Sequence, residues 1–331
     1  MTTASASHSS PQPSLFVGID VAKDKLDLAT SDTRRVQTFD NNPAGHQQIV
    51  DLFVARKPAC IVIESTGGYE WPLIQVLLEA DLPVAHVNPR FIRHFAIGLR
   101  ILAKTDPIDA HVLVRYAQLA EPTLLEKRSK NQAELTALVT CRRQLQQTLT
   151  QQSNRRGLTR SKAALKAIDQ VIKTLQRQID DLDAAIRKLI ESDDQFKDLD
   201  RLLRTVPGIG PVASATLVAQ MPELGKTDRR HAPALLGVVP YNHDSGKLKG
   251  QRCIFGGRTE PRCVTYMATL AAMRCNPIIR AFAQRLRGKG KKAKVVIVAC
   301  MRKLIILINA MIRDRLPWSE LNLVKNLQTN P

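Results

Sequence analysis

The sequence predicts an α/β layer with a mixed sheet, followed by a helical middle and a basic, mainly helical far end. Three observations lead there. Strand-length apolar runs with short polar breaks give way, near residue 44, to alternating helix and strand patterns. A strict heptad seam then occupies the middle of the chain. Positive charge, finally, gathers beyond residue 240 instead of being spread along the whole length.

LFVGIDVA (15–22), KLDLATS (25–31) and RVQTFDN (35–41) have the length and breaks of an antiparallel meander. AGHQQIVDLFVAR (44–56) spaces its apolar residues as a helix does, and ACIVIEST (59–66) is an apolar strand running into Gly67 and Gly68. PLIQVLLEA (72–80) reads as a second helix and PVAHVNP (83–89) as another buried strand. Three strands followed by helix–strand alternation make an α/β layer with a mixed sheet. The expected division is a polar, Ser-rich leader over 1–14, an α/β domain over 15–125, a helical region over 126–198 and a basic domain over 199–331.

In the helical region Ile168, Ile172, Leu175, Ile179, Leu182, Ile186 and Leu189 step alternately by four and three, an a/d seam. Leu135, Leu138, Leu145 and Leu149 keep the same rhythm, with Arg142 at the intervening position. Two such arms around NRRG (154–157) predict an antiparallel hairpin or a dimerising coiled coil. An exposed spacer and an assembly element fit the pattern equally, and the second implies a homo-oligomer, dimer or tetramer.

The 331 residues hold 49 Lys and Arg against 30 Asp and Glu, a formal charge of +19. Residues 241–331 hold 18 of those cations and only 4 of the acids. A basic excess of this size points to polyanions, nucleic acid first. Other classes fall away. The six cysteines (60, 141, 253, 263, 275 and 300) form no CxxC pair, so neither a zinc ribbon nor a disulfide scaffold is supported. Arg302 and Lys303 interrupt the apolar run Val295–Ile312, which favours a buried or amphipathic helix over a membrane span. Met1–Ser14 carries no apolar signal segment, and a cytoplasmic, nucleoid-associated prokaryotic protein is expected.

Chemistry concentrates in a few acids. Asp20 ends the first strand, Glu64 ends the strand 59–66, and Asp106 and Asp109 open a helix in KTDPIDA (104–110). Pro107 suits the first helical position and Asp106 the N-cap. Spacing of three puts Asp106 and Asp109 on one helix face. Strand ends and a helix start can converge at one sheet edge, and clustered carboxylates are tolerable when a hard divalent cation such as Mg²⁺ neutralises them. Two such ions ~4 Å apart stabilise attacking and leaving oxygens in phosphoryl transfer. Each acid alone serves equally well as a cap or a solvated group.

VGIDVAKDKLD (17–27), IVIESTGGYE (61–70), VNP (87–89) and KTDPIDAHVLVRYA (104–117) resemble the RuvC-like, ribonuclease-H-like domain of the DEDD-type insertion-sequence transposases that use a bridge RNA. VPGIGPVASATLVA (206–219), GVVPYNHDSGKLKGQRCIFGGR (237–258) and GKGKKAKVVIVACMRKLI (288–305) resemble that family's C-terminal transposase domain. The similarity runs from about Leu15 to about Pro317. It implies that Asp20, Glu64, Asp106 and Asp109 are the catalytic, metal-holding acids, with Mg²⁺ or Mn²⁺ as cofactor. It further implies that Ser245 attacks DNA to form a covalent phosphoserine intermediate, and that donor DNA, target DNA and a guide RNA are the partners.

Read from its own residues, Ser245 lies in an Asp-Ser-Gly turn among Lys247, Lys249, Arg252 and Arg258, enough positive charge to hold a phosphodiester. Tyr241 is the rival nucleophile. ProGlyIleGly (207–210) before an apolar helix resembles a helix-hairpin-helix turn. Its Gly208 and Gly210 could let backbone amides approach phosphate, or could serve an ordinary helix connection. Lys289, Lys291, Lys292 and Lys294 form a flexible cationic run suited to sequence-independent phosphate contacts, or to solvation alone. Aromatic residues are only 4% of the chain, which disfavours base reading by stacking. The rival to a serine recombinase is a metal-dependent, structure-specific endonuclease of the Holliday-junction type, using the four acids and water.

Overall fold

The computed structural model describes residues 14–319 apart from 104, 128, 243, 246–249 and 251. The chain divides into two compact units, Met1–Arg128 and Ser129–Pro331.

In the first unit β1 (Phe16–Val21), β2 (Lys25–Thr30) and β3 (Gln37–Asp40) form an antiparallel meander, followed by α1 (Pro43–Arg56), β4 (Cys60–Glu64), α2 (Trp71–Glu79) and β5 (Val84–Val87). Then come α3 (Pro89–Gly98) and α4 (Asp106–Ala120). The sheet order is β3-β2-β1-β4-β5, with β4 parallel to both β1 and β5. Period-two alternation sorts the strand residues between two helical layers. Val17, Ile19, Val21, Ile61 and Ile63 pack with Ile49 and Phe53 of α1 and Leu73, Ile74 and Leu77 of α2. Cys60, Val62, Ala85 and Val87 meet Ile92 and Ala96 of α3 and Val112, Leu113 and Ala117 of α4. By the same alternation Asp20, Asp27 and Glu64 belong to the α4 side.

Gly18 makes that side close. A Cβ there would lie 2.4 Å from the Ala110 carbonyl oxygen and 2.7 Å from Leu113 Cβ, so α4 rests directly on the β1 backbone. Gly18→Ala is expected to destabilise the chain by about 1–3 kcal/mol through overpacking, read as a lowered denaturant midpoint.

The second unit is almost wholly helical. α5 (Lys130–Leu158) and α6 (Lys162–Ser192) run antiparallel, as their cross-pairs show: Asn131 with Asp193, Arg142 with Asp183, and Arg156 with Asp169. Ile168, Ile179 and Ile186 of the heptad seam are buried, and Leu135, Val139, Ile186 and Ile190 join the core of the remaining helices. Arg142, the polar interruption of the seam, is answered by a bidentate pair to Asp183 at 2.6 and 3.0 Å. Both arms are therefore occupied along this seam within one chain.

α7 (Asp194–Arg204), α8 (Pro211–Gln220), α9 (His231–Leu236), the ribbon β6 (Pro240–Tyr241) with β7 (Cys253–Ile254), α10 (Thr259–Cys275), α11 (Pro277–Gly288) and α12 (Ala293–Asp314) complete the unit. α12 is long and apolar enough to cross a membrane, yet Val296, Cys300, Leu304, Ile305, Ile308 and Met311 are fully buried in the core. Lys303, at its centre, sets its ammonium 4.6 Å from the Phe282 ring. Burial and the neighbouring Arg285 hold that amine below the usual lysine range.

Candidate active site

Asp20 sits at the penultimate position of β1, directly across from Asp27 in β2. Ile63 pairs with Ile19, which puts Glu64 at the end of the strand beside Asp20. α4 lies over this face and begins at Asp106, with Asp109 one turn on. The electrostatics register the convergence. The Asp20 carboxyl is pushed up to about 6, first by burial and then by the charges of Asp109, Asp106 and Asp27. Asp27 is buried and accepts a hydrogen bond from Thr38 Oγ1 at 2.6 Å.

The helix begins one residue differently from the sequence expectation. Thr105 is the N-cap and Asp106 the first helical residue, its carboxylate 2.6 Å from the Lys25 ammonium. Lys25 also reaches Asp27 at 2.9 Å. Among the described residues no three Asp, Glu, His or Cys side chains surround a common ligand point. The donor set still suits a hard cation. It is all carboxylate oxygen, the charges of Asp109, Asp106 and Asp27 add to burial in raising the Asp20 carboxyl, and an ammonium already pairs with Asp106 and with Asp27 beside it.

Sequence reasoning passed over Lys25 and Asp27, although counting outward from a turn centred on 23–24 pairs Asp27 with Asp20. It also passed over Glu70, which is 1% exposed at the end of the loop that follows Glu64. Glu70 accepts hydrogen bonds from Gly68 N at 2.8 Å, Thr66 Oγ1 at 3.2 Å and Ser65 Oγ at 3.4 Å, and contacts His86 Nε2 at 3.2 Å. Burial alone would raise its carboxyl, but the backbone amides of Glu70, Gly68 and Thr66 and the nearby His86 hold it below the usual range. The loop is thus tied down by a buried anion.

In the second unit β6 and β7 pair antiparallel, with Tyr241 opposite Cys253. Ser245 is exposed and takes part in a single β-bridge, where the sequence led to a turn, and Gly250 N donates to Asp244 Oδ1 at 3.1 Å. Tyr241 is 45% exposed, not buried. Lys247 and Lys249 lie outside the described residues; Arg252 is exposed. Arg258 has other work: its guanidinium binds Glu223 through both terminal nitrogens, at 2.7 and 2.5 Å, and donates to the Gln220 carbonyl. Its charge is compensated where it stands. Lys289, Lys291, Lys292 and Lys294 are all exposed between α11 and the first turn of α12.

Gly210 is the N-cap of α8, and a Cβ there would meet open space. Gly208 differs. With φ at +105° and a would-be Cβ 2.7 Å from Ala272 N, its freedom is spent packing the turn on α10.

Comparison with known proteins adds the following. A model of the DEDD type from IS110 elements, described as a transposase, matches residues 17–159. A second, described as transposase of the IS116/IS110/IS902 family, matches residues 200–284. The pilin gene-inverting proteins of Moraxella lacunata and Moraxella bovis are each 30% identical over 315 residues, spanning 92% of this chain and 98% of the relative. An uncharacterised protein of insertion element IS110 from Streptomyces coelicolor is 25% identical over 135 residues, 40% of this chain and 32% of its own. Among solved structures, T. thermophilus RuvC in complex with a Holliday junction substrate aligns over 34% of this chain and 99% of its own, at 14% identity. Its TM-score of 0.28 carries no argument beyond the strand order already described.

Proposed function

Since the chain belongs to the IS116/IS110/IS902 family of transposases, we propose that it cuts and rejoins DNA by divalent-metal-dependent phosphoryl transfer with Ser245 as nucleophile. The observation that carries the reading is the convergence of Asp20, Asp106 and Asp109 at one end of the sheet, where burial first and then the charges of Asp109, Asp106 and Asp27 raise the Asp20 carboxyl to about 6. Such a cluster is costly for folding and suits a cation-dependent task. Asp20, Glu64, Asp106 and Asp109 would hold the ion, Mg²⁺ or Mn²⁺. When bound, it would supply charge neutralisation for the reacting phosphate and its oxygens.

Gene inversion, the activity in the name of the two Moraxella relatives, requires every cut strand to be rejoined. A covalent protein–DNA intermediate conserves the phosphodiester energy that rejoining needs. Ser245 suits the role by its exposure: its Oγ bonds to phosphorus as the P–O bond to the leaving strand breaks, the hydroxyl proton passes to water, and the displaced strand oxygen takes a proton from water to end as a free strand hydroxyl. Arg252 and the lysines at 289, 291, 292 and 294 would hold phosphates without reading sequence. Target choice would fall to base pairing with a guide RNA. The acids lie in the first unit and Ser245 in the second, and the assembly proposed is a homo-oligomer, dimer or tetramer.

The test incubates the protein and its co-purified RNA with donor and target duplexes and Mg²⁺. Joined recombinant DNA is expected, lost on chelation. Nicked duplex without joining would mark the endonuclease alternative. Mixing Asp106→Ala and Ser245→Ala chains is expected to restore part of the exchange when subunits share the site.

A further inference from the structure

Lys25 is a cation set into the acidic face of the first unit's sheet, where it pairs with both Asp27 and Asp106. It opens β2 two residues before Asp27, so both side chains project to the side where α4 begins. Its ammonium lies 2.9 Å from Asp27 Oδ2 and 2.6 Å from Asp106 Oδ2, clamping the sheet to the first residue of the helix that carries Asp109. The lysine is about half exposed and opens onto solvent, whereas Asp27 is nearly sealed. It can therefore swing away without unpacking anything, while Asp27 keeps its hydrogen bond from Thr38.

An ammonium and a hard divalent ion compete for the same carboxylate oxygens. The lysine offers one positive charge and three N–H donors. A divalent ion offers two charges and accepts several oxygens at once. With Lys25 seated, an Asp106 oxygen is turned toward the ammonium, and no three ligating side chains share a centre among the described residues.

We propose that Lys25 is the built-in counter-ion of the acid cluster, which a divalent cation must displace from Asp106, so that this lysine sets the cluster's affinity for metal. The proposal rests on the reading that the acids hold a divalent cation. Displaced, the ammonium remains tethered beside the site, where an incoming phosphate provides its next partner.

The full-length protein, free of DNA, is titrated with Mn²⁺ and followed by calorimetry and by the electron paramagnetic resonance of the free ion. Wild type, Lys25→Met, Lys25→Arg and Asp20→Asn are compared. Lys25→Met is expected to bind Mn²⁺ roughly tenfold more tightly. Lys25→Arg, which keeps the charge, is expected to stay near or below wild type, and Asp20→Asn to lose the site. Thermal unfolding confirms that each variant is folded, and Lys25→Gln serves in place of Met if Met is not. Equal or weaker Mn²⁺ binding in the folded, neutral variant, with an Asp20-dependent site in wild type, overturns the role of Lys25 alone. Absence of any Asp20-dependent Mn²⁺ site in every variant overturns the metal reading, and this proposal with it.

Discussion

Ser245→Ala protein is expected to bind donor and target duplexes as wild type does, yet to form no covalent protein–DNA species and no joined product. The loss should be about a thousandfold or more, the scale seen when a nucleophile is removed. The argument separates chemistry from folding. Ser245 is exposed, so deleting one hydroxyl should leave stability within about 0.5 kcal/mol. Loss of the adduct on denaturing gels, with an unchanged melting temperature and unchanged duplex affinity, is the full signature. A persisting adduct would transfer the role to Tyr241, which is four residues upstream and itself exposed.

Asp20→Asn should abolish activity to a similar degree while making the protein more stable at neutral pH. The sign follows from the carboxyl, raised from 3.8 to about 6 by burial and by Asp109, Asp106 and Asp27. A folded-state value above the unfolded one means that the protonated group favours the fold. That contribution is complete below about pH 3.8 and is lost as the pH rises through about 6. Asparagine never ionises, so the variant keeps what wild type loses. Its advantage should be absent near pH 4 and reach roughly 3–6 °C in melting temperature above pH 7, screening by solvent being allowed for. Melting curves with chelator across this range check it; parallel curves for the two proteins would contradict the electrostatic reading. Added Mg²⁺ should narrow the gap by stabilising only the wild type.

Much of this architecture was legible in the letters. β1, β2, β4 and β5 are apolar runs whose period of two leaves little choice, and α1 and α2 announce themselves by helical spacing between them. Asp20 and Glu64 stand out because an acid ending a buried strand needs an explanation. Asp27 escaped notice because one acid inside a strand looks like a solvent-facing residue until register places it opposite Asp20. α3 went unread although its signal was there: Ile92, Phe95 and Ala96 recur at helical spacing in PRFIRHFAIG and pack into the same core. Local spacing could not reveal that Asp106, the first residue of α4, pairs with Lys25, 81 residues away. Arg258 and Gly208 taught the same lesson in the second unit. A basic residue near a serine and a glycine in a turn invite a phosphate reading, and local spacing says nothing of the long-range partners, Glu223 and the backbone of Ala272, that the fold gives them.

The most direct measurement traps the reaction with Mg²⁺, digests it with protease and nuclease, and sequences the surviving nucleotide-linked peptide by tandem mass spectrometry. A phosphate-linked nucleotide on Ser245 is expected, absent when Asp20 is replaced by asparagine. The same mass on Tyr241, or strands cut and joined with no nucleotide-bearing peptide, would contradict the claim that a serine oxygen carries the DNA between cutting and rejoining.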